Sequence, residues 1–421
     1  MSCKWQTNLY ALPACIEGPT LFGGIIMSND YVFNDTLPVA LLKIAALESC
    51  RDLAEKVNSH IINFRRNDIE VLKKRQENLQ YRGYDADSYM LDCACPRFGS
   101  GEAKGIVNES VRGTDIYAMV DVTNYSLTYK MSGFTNHMSP DDHYQDLKRV
   151  IAAAAGKARR INVIMPFLYE GRQHKRSGRE SLDCAMMLEE LIQMGVSNII
   201  TFDAHDPRVQ NSIPLSGFDN FMPTYQFIKA LLNHDKTLKI DKDNLMVISP
   251  DEGAMSRAVY LANNLGVDMG MFYKRRDYSR VVNGRNPIVA HEFLGSSVEG
   301  KTVLIIDDMI SSGESMLDTC RALKERKAKR VVVCATFGLF TNGLEKFDEF
   351  FAKGYLDCVV TTNLNYHTPE LLKRDWYVEA DMSKFIAAII NSLNHNVSLE
   401  NALTPTAKIQ KLIKRYNEGK M

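Results

Sequence analysis

The sequence predicts an α/β protein with two domains, each built on a parallel sheet flanked by helices. The first observation is length, because 421 residues exceed one ordinary core and a prior of roughly one domain per 100 to 200 residues suggests two or three, of which we adopt two. The second is a repeated alternation. Short apolar runs end in polar or glycine-containing turns and are followed by helical patterns, as in βαβ units.

The predicted strands follow in chain order, and helical patterns lie between them. The strands are 161–167, 197–202, 244–249, 267–273, 302–306 and 330–337. Apolar residues at near-helical spacing predict helices over 181–194 and 255–265, closed by Gly195 and Gly266. A third helix is predicted over about 315–327.

Composition excludes several classes of protein. With 45% hydrophobic residues, 24% charged residues and a formal net charge of +0, the chain has no bulk basic field for nucleic acid. It lacks an uninterrupted apolar run of about 18 residues and a signal-peptide pattern at its start, so we expect neither a membrane protein nor a secreted one. The nine scattered cysteines indicate reduced thiols and a cytoplasmic location, and Cys93 and Cys95 lack a second pair for a zinc site.

One segment stands apart from the alternating pattern. Residues 63–92 are charged and have few apolar anchors. The pattern indicates a solvated helix or an insertion, and we assign it no chemistry.

Polar residues follow five successive predicted strands. Parallel sheets bind ligands beyond the carboxyl ends of their strands, so these residues are the candidates for chemistry. They are 169–179, Asp203 with His205, Asp251, 274–276, and Asp307 with Asp308.

The segment 295–315 contains two phosphate-binding patterns. The first, GSSVEGKT over 295–302, matches a Walker A loop, which needs a strand before the glycines and a helix after the lysine. Here a polar turn precedes Gly295 and a β-branched run follows Thr302, so the order is inverted. We interpret 300–302 as a turn that begins a strand.

The second pattern has the expected order of a strand, two acids, a small-residue loop and a helix. Ser311, Ser312, Gly313 and Ser315 allow the backbone to approach an anion at a helix N-terminus. The carboxylates of Asp307 and Asp308 cannot bind phosphate, but they can accept protons from a sugar diol or hold a divalent cation. The combination predicts a site for ribose 5-phosphate.

The chain resembles the ribose-phosphate pyrophosphokinase family, whose members make phosphoribosyl pyrophosphate (PRPP) and have the type I phosphoribosyltransferase fold. Segments similar to the family's occur in the family's order. They are ESVRGTDIY (109–117), PFLYEGRQHKR (166–176), ITFDAHD (200–206), SPDEGAMSRA (249–258), YKRRDYSR (273–280), the loop after Asp307, VVTTN (359–363) and NVSLENAL (396–403).

The resemblance implies two tandem phosphoribosyltransferase-like domains. The N-terminal domain would span 1–225, with an insertion at about 63–92, and would be completed by the C-terminal segment 376–421. The other domain would span 226–375 and carry the ribose 5-phosphate loop.

The resemblance also implies transfer of the β,γ-diphosphoryl group of MgATP to O1 of ribose 5-phosphate, giving PRPP and AMP. ATP would be the co-substrate and Mg²⁺ the metal cofactor, and the family's segment around Phe98, which reaches a neighbouring subunit, implies a homo-oligomer built from dimers, with a hexamer as one option. The implied residues are Lys274 and Arg276 for catalysis; Phe98, Glu102, Arg172, Gln173 and His205 for ATP; Asp307, Asp308, Ser311, Ser312, Gly313 and Ser315 for ribose 5-phosphate; and His205 and Asp251 for metal.

The chain departs from the family at several site positions. Ser100 and His174 each stand where the family carries a carboxylate, Ser311 replaces an Asp, and Glu314 replaces a Gly. A negative charge at Glu314 would oppose phosphate binding unless it points away. These changes leave two alternatives open: a catalytically weak paralogue that regulates an active synthetase, and a transferase that consumes PRPP.

Overall fold

In the computed structural model, residues 36–75, 81–276, 288–403 and 405–420 are described, with the backbone alone at 274–276, 288–291 and 401. The first half of the chain forms a five-stranded parallel sheet in the order β1-β4-β7-β8-β9. Its elements are β1 (Leu41–Ala46), α1 (Arg51–Lys74), β2 (Cys93–Ala94), β3 (Ile106–Val107), β4 (Thr114–Met119), β5 (Thr128–Met131), β6 (Phe134–His137), α2 (Pro140–Ala154), β7 (Arg160–Ile164), α3 (Asp183–Gln193), β8 (Asn198–Phe202) and β9 (Gly217–Phe221). β2 with β3 and β5 with β6 form separate antiparallel pairs.

The second half forms a seven-stranded sheet in the order β12-β11-β10-β13-β14-β15-β16. Its strands are parallel except for the pair β11 and β12. The elements are α4 (Thr224–His234), β10 (Leu245–Ser249), α5 (Met255–Leu265), β11 (Asp268–Arg276), β12 (Ile288–Leu294), β13 (Thr302–Ile310), α6 (Glu314–Glu325), β14 (Arg330–Gly338), α7 (Glu345–Ala352), β15 (Cys358–Thr362), β16 (Tyr377–Ala380), α8 (Ser383–Asn394), α9 (Glu400–Leu403) and α10 (Thr406–Asn417).

Helices cover both faces of each sheet, which confirms the predicted fold class. The first sheet packs against α2 and α3 on one face and against α1 and α8 on the other. The second packs against α4, α5 and α10 on one face and against α6 and α7 on the other. Phe202 at the end of β8 shares a core with Phe337 of β14, so the two sheets meet near the carboxyl ends of these strands.

All six predicted strands are present, and the predicted bounds differ from the observed ones mainly in length. β13 continues to Ile310 because Asp307, Met309 and Ile310 pair with β14. Thr302 begins this strand, so residues 300–302 are the predicted turn and the Walker interpretation fails. No helix within the described ranges is long and apolar enough to cross a membrane.

The segment 63–92, for which the sequence indicates a solvated helix or an insertion, continues α1 to Lys74 and is largely exposed, but it also carries buried polar residues. Arg65 and Asp68 on α1 are each 1% exposed, and Tyr84 and Tyr89 are buried beside them. The Arg65 guanidinium lies over both tyrosine rings, 4.7 and 4.6 Å from their centroids, and donates to Asn391 and Asn394 of α8. The high charge of the segment suggested exposure to solvent. These polar groups are buried instead because they bond to one another.

The predicted domain boundaries stay a prediction. Elements of the segment 376–421 contact both sheets: β16 pairs with β15, α8 packs on α1, and α10 contacts α4 and α5. Residues of both halves therefore lie against this last part of the chain.

Candidate active site

The carboxyl ends of β8 and β13 meet, and a hydrogen bond joins the residues found there. His205, just after β8, lies with Nδ1 2.6 Å from Asp308 Oδ2 on β13. Sequence reasoning selected both residues as polar groups at strand ends but did not link them. The contact occupies Nδ1 and leaves Nε2 as the nitrogen for a ligand, which is the arrangement that carboxylates impose on metal-binding histidines.

Asp203, at the start of the same turn, is held from two sides. One carboxylate oxygen accepts from Arg257 Nε at 2.6 Å, and the other accepts from Thr336 Oγ1 at 2.6 Å. The side chain is buried, and burial raises its pKa even though Arg257 and Thr336 stabilise the ionised form. Its backbone has φ 42°, a left-handed conformation that only a small share of non-glycine residues adopt.

Sequence reasoning assigned no role to Arg257. A signal was available, because Arg257 occurs with Leu261 and Leu265 at helical spacing on the buried stripe of α5. An arginine inside an apolar stripe needs an acidic partner, and Asp203 supplies it.

The two acids of β13 differ in electrostatic environment. Burial and the negative charge of Asp308 raise the pKa of Asp307 well above its usual range. Burial opposes ionisation of Asp308 as well, but the His205 hydrogen bond and the Arg257 charge hold its pKa below the usual value. One acid is thus suited to donating or sharing a proton and the other to accepting hydrogen bonds.

The small-residue loop 311–313 leads into α6, as the sequence predicts. Gly313 is the N-cap with φ 82°, and a Cβ there would overlap the Phe347 ring. The first N–H groups of a helix lack intrahelical partners and carry partial positive charge, so the N-terminus of α6 suits an anion.

Glu314, the residue that opposed a phosphate site on charge grounds, is paired with a lysine of the neighbouring helix. Its Oε1 lies 2.7 Å from Lys346 Nζ on α7, and both side chains are more than half exposed. The hydrogen bond to Lys346 lowers the pKa of Glu314. The negative charge is therefore partly compensated by a lysine of the neighbouring helix.

Arg172 and His205 line one cleft between the two sheets. Phe202 and Ala204 from the first sheet share it with Met309 and Phe337 from the second. This brings a predicted nucleotide residue beside the strand that carries Asp307 and Asp308.

Gln173 and His174 lie next along the chain. Gln173 donates its side-chain amide to the carbonyl of Ser181 at 2.9 Å. The His174 ring centroid is 5.4 Å from that of His205, and its Nε2 is 3.5 Å from Asp206 Oδ2. His174, where the resemblance implies a carboxylate, therefore lies beside His205.

Phe98 and Glu102 lie on a separate hairpin. Phe98 is 52% exposed, its N–H donates to the Glu102 carbonyl, and Ser100 donates to the Glu102 carboxylate at 2.9 Å. The hairpin contacts the β5–β6 pair through the bond from the Ser132 N–H to the Gly99 carbonyl, and Arg97 bonds Asp146 of α2. It is a surface feature rather than a wall of the cleft that Arg172 lines.

The remaining predicted residues follow β10 and end β11. Asp251 accepts from the Gly253 N–H at 3.0 Å, and its charge adds to the rise in the pKa of Asp307. Lys274 and Arg276 lie on β11, opposite β12, but their side chains are outside the described residues, as are residues 277–280 of the predicted catalytic loop. The described residues contain no group of three or more His, Cys, Asp or Glu side chains that could hold a metal ion by themselves.

Comparison with known proteins gives matches over most of the chain. Residues 42–195 match the N-terminal domain of ribose phosphate pyrophosphokinase, and residues 226–372 match the phosphoribosyl transferase domain. A ribose-phosphate pyrophosphokinase of Pasteurella multocida is 28% identical over 74% of this chain and 91% of its own length. One of Ralstonia nicotianae is 30% identical over 63% of this chain and 76% of its own length.

A solved structure has the same fold. The crystal structure of phosphoribosylpyrophosphate synthetase from Mycobacterium smegmatis superposes with a TM-score of 0.64 and 21% identity, covering 84% of this chain and 99% of that one.

Proposed function

This chain belongs to the ribose-phosphate pyrophosphokinase family, and we propose that it transfers the diphosphoryl group of ATP to ribose 5-phosphate at the strand ends where His205 bonds Asp308. O1 of ribose 5-phosphate bonds to the β-phosphorus, the bond from that phosphorus to the α,β-bridging oxygen breaks, and AMP leaves. The O1 proton is lost in the same overall step. The single observation that carries the placement is the 2.6 Å contact between His205 and Asp308, because it joins the two predicted substrate regions.

We assign the ribose half to β13 and the loop after it. Asp308 accepts a hydrogen bond from one ribose hydroxyl, and Asp307 shares a proton with another. The 5-phosphate binds Ser311, Ser312, Gly313 and Ser315 at the N-terminus of α6, where N–H groups and the helix dipole favour an anion. The outward pairing of Glu314 with Lys346 supports this assignment because it lowers the local negative charge.

We assign the nucleotide half to Arg172, Gln173 and His205, with Phe98 and Glu102 contributed by a neighbouring subunit. Lys274 and Arg276 act on the transferred phosphoryl group, where cations offset the charge that develops on its non-bridging oxygens. The ammonium of Lys274 acts as a point charge and the Arg276 guanidinium as a planar fork.

We propose that Mg²⁺ is held by His205 and Asp251 together with substrate phosphates. The fit rests on the Nδ1 bond of His205, which leaves Nε2 as the nitrogen for a metal, and on the acidic surroundings of Asp307. Mg²⁺ needs few protein ligands because it keeps water and binds phosphate oxygens. When bound, the ion would neutralise phosphate charge. A homo-oligomer and a cytoplasmic location likewise remain proposals.

One assay tests the function. The purified chain is incubated with ATP, Mg²⁺ and ribose 5-phosphate, and AMP and PRPP are followed. We expect equimolar AMP and PRPP. Absence of AMP at every magnesium and phosphate concentration would favour the regulatory paralogue, and loss of added PRPP only when a nucleobase is present would favour the transferase.

Lys274→Ala tests the catalytic assignment. If Lys274 stabilises the transferring phosphoryl group, kcat should fall by roughly 100-fold while the affinity for ribose 5-phosphate changes little. Titration calorimetry with ribose 5-phosphate supplies the second measurement. Equal loss of turnover and of ribose 5-phosphate binding would contradict the role.

Mixing two variants tests the shared site. Glu102→Ala and Lys274→Ala should each be weakly active alone, and mixed oligomers should regain activity if Glu102 completes a neighbour's nucleotide site. Activity that stays additive after subunit exchange would show that Glu102 acts within its own subunit or not at all.

A further inference from the structure

The turn 203–205 of the first sheet is held by side chains of the second sheet and its helices. Arg257 on α5 and Thr336 on β14 both donate to Asp203, and a second Arg257 nitrogen donates to the Ala204 carbonyl at 3.2 Å. These side chains are buried, with exposures of 8% for Arg257, 0% for Thr336 and 3% for Asp203. Hydrogen bonds to a buried carboxylate are among the stronger ones in proteins.

The backbone at this turn needs such support. Asp203 has φ 42°, and a strained residue of this kind persists only when its surroundings determine its conformation. Its N–H bonds the Phe221 carbonyl of β9 at 2.9 Å, whereas its side chain is fixed from the second sheet. The conformation of the turn therefore depends on both halves of the molecule.

We propose that Arg257 and Thr336 are positioning residues that fix the turn 203–205 and so align the nucleotide half of the site with the ribose 5-phosphate half. This inference rests on the proposed function. His205 is at the end of the turn and bonds Asp308, while the outer nitrogen of Arg257 lies 4.0 Å from the same Asp308 oxygen. The same Arg257 nitrogen that donates to the Ala204 carbonyl therefore also lies near the ribose half.

The two positioning residues should affect the rate more than substrate binding. In-line transfer needs the attacking and leaving oxygens aligned on phosphorus, and small misplacements lower the fraction of reactive complexes. The groups proposed to bind ribose 5-phosphate lie on β13 and its loop, which a looser turn leaves intact. A fall in kcat with little change in ribose 5-phosphate affinity is therefore the expected signature.

Thr336→Val tests the inference with little risk to folding. Valine has nearly the same shape, and Asp203 keeps its bond to Arg257. We expect kcat to fall roughly tenfold, with ribose 5-phosphate affinity within about twofold of wild type by titration calorimetry. Hydrogen exchange should become faster in peptides that cover 200–206, a readout that needs no turnover.

Thr114→Val is the matched control. Thr114 is 2% exposed, begins β4 at the opposite end of the first sheet, and donates only to the Val111 carbonyl at 2.8 Å. It loses one buried hydroxyl bond without touching the turn, so kcat and exchange at 200–206 should match wild type.

Arg257→Lys supplies a second variant. It keeps the charge but cannot hold both Asp203 and the Ala204 carbonyl, because lysine lacks the planar fork. We expect a larger fall in kcat than for Thr336→Val, again with ribose 5-phosphate affinity retained.

Two results would overturn the inference: a Thr336→Val enzyme that behaves like Thr114→Val in rate and in exchange, or variants whose ribose 5-phosphate affinity falls as far as kcat. A wild-type chain that makes no AMP would instead refute the proposed function, and the exchange comparison would still test the link between the halves.

Discussion

Glu314 shows how a neighbouring side chain can change the effect of an unfavourable residue. By sequence it places a carboxylate at the phosphate loop, where negative charge opposes binding. In the structure its carboxylate bonds Lys346, whose helix packs beside α6. The lysine could not be selected from the sequence, because 32 positions separate it from Glu314.

Removing that lysine should weaken substrate binding. Lys346→Met leaves the Glu314 charge uncompensated near the loop, so we expect the KM for ribose 5-phosphate to rise roughly twofold to threefold at low salt, with less effect at high salt. Steady-state kinetics at two ionic strengths measures this.

The chain offers a control of matched exposure. Lys353 pairs with Glu349, with exposures of 56% and 54% against 55% and 56% for Lys346 and Glu314. Lys353→Met should leave KM unchanged, and the double change Glu314→Gln with Lys346→Met should restore it. A single Lys346→Met with wild-type KM at low salt would mean that Glu314 does not act on the phosphate.

At the scale of elements, the loop that begins α6 depends on one glycine for two separate reasons. Gly313 has φ 82°, which side chains other than glycine adopt at a cost, and its Cα faces the ring of Phe347. That ring is fully buried and stacks on Trp376, so it cannot move aside readily. The backbone path of the proposed phosphate loop is thus set by packing beneath it.

Gly313→Ala should be much more harmful than Gly300→Ala. Gly300 has a similar φ of 75° but open space around its Cα, so it reports the conformational cost alone, about 1 to 2 kcal/mol. At Gly313 overpacking against Phe347 should add about 1 to 3 kcal/mol and weaken ribose 5-phosphate binding. Denaturant unfolding and calorimetry measure the two effects. Equal destabilisation by both changes would mean that the ring relaxes.

The elements around the site were more predictable than the contacts between them. Apolar runs and glycine stops located β8, β10, β13 and α5, because each signal lies within the element itself. The contacts between elements join residues 54 to 133 positions apart. They are the hydrogen bond from His205 to Asp308 and those from Arg257 and Thr336 to Asp203. Their geometry follows from how the two sheets meet, which no local pattern encodes.

At the scale of the whole molecule, a buried polar cluster joins the first and last parts of the chain. His395 follows α8, and its Nδ1 lies 2.6 Å from the Thr36 carbonyl. Burial lowers the pKa of its ring to about 4 from the model-compound value of 6.5. Arg65 lies nearby on α1 and bonds the asparagines of α8.

The low pKa of His395 predicts a loss of stability in mild acid. The unfolded chain binds a proton at His395 below about pH 6.5, whereas the folded chain resists it until about pH 4. With respect to His395, the folded state therefore has its full stability above pH 6.5 and loses stability as the pH falls toward 4. Between pH 7 and pH 5 we expect protonation of His395 in the unfolded chain to lower the free energy of unfolding by roughly 1 to 2 kcal/mol.

His395→Gln removes that titration and should make the decline from pH 7 to pH 5 shallower by the same amount. Urea unfolding at the two pH values, on wild type and variant, measures the difference. An unchanged slope would mean that His395 is protonated equally in the folded and unfolded states.

The packing of α8 on α1 has a consequence for synthesis on the ribosome. The partners of Arg65 are at 391 and 394, so they are translated 326 and 329 positions after it. Domains generally fold in order during translation, N-terminal first. Here the second sheet can assemble around α4 to α7 while the nascent first half still awaits its last helix. Arg65 and its neighbours on α1 then stay hydrated until α8 has been made, and chaperones that bind nascent chains should recognise this exposed surface of the first half.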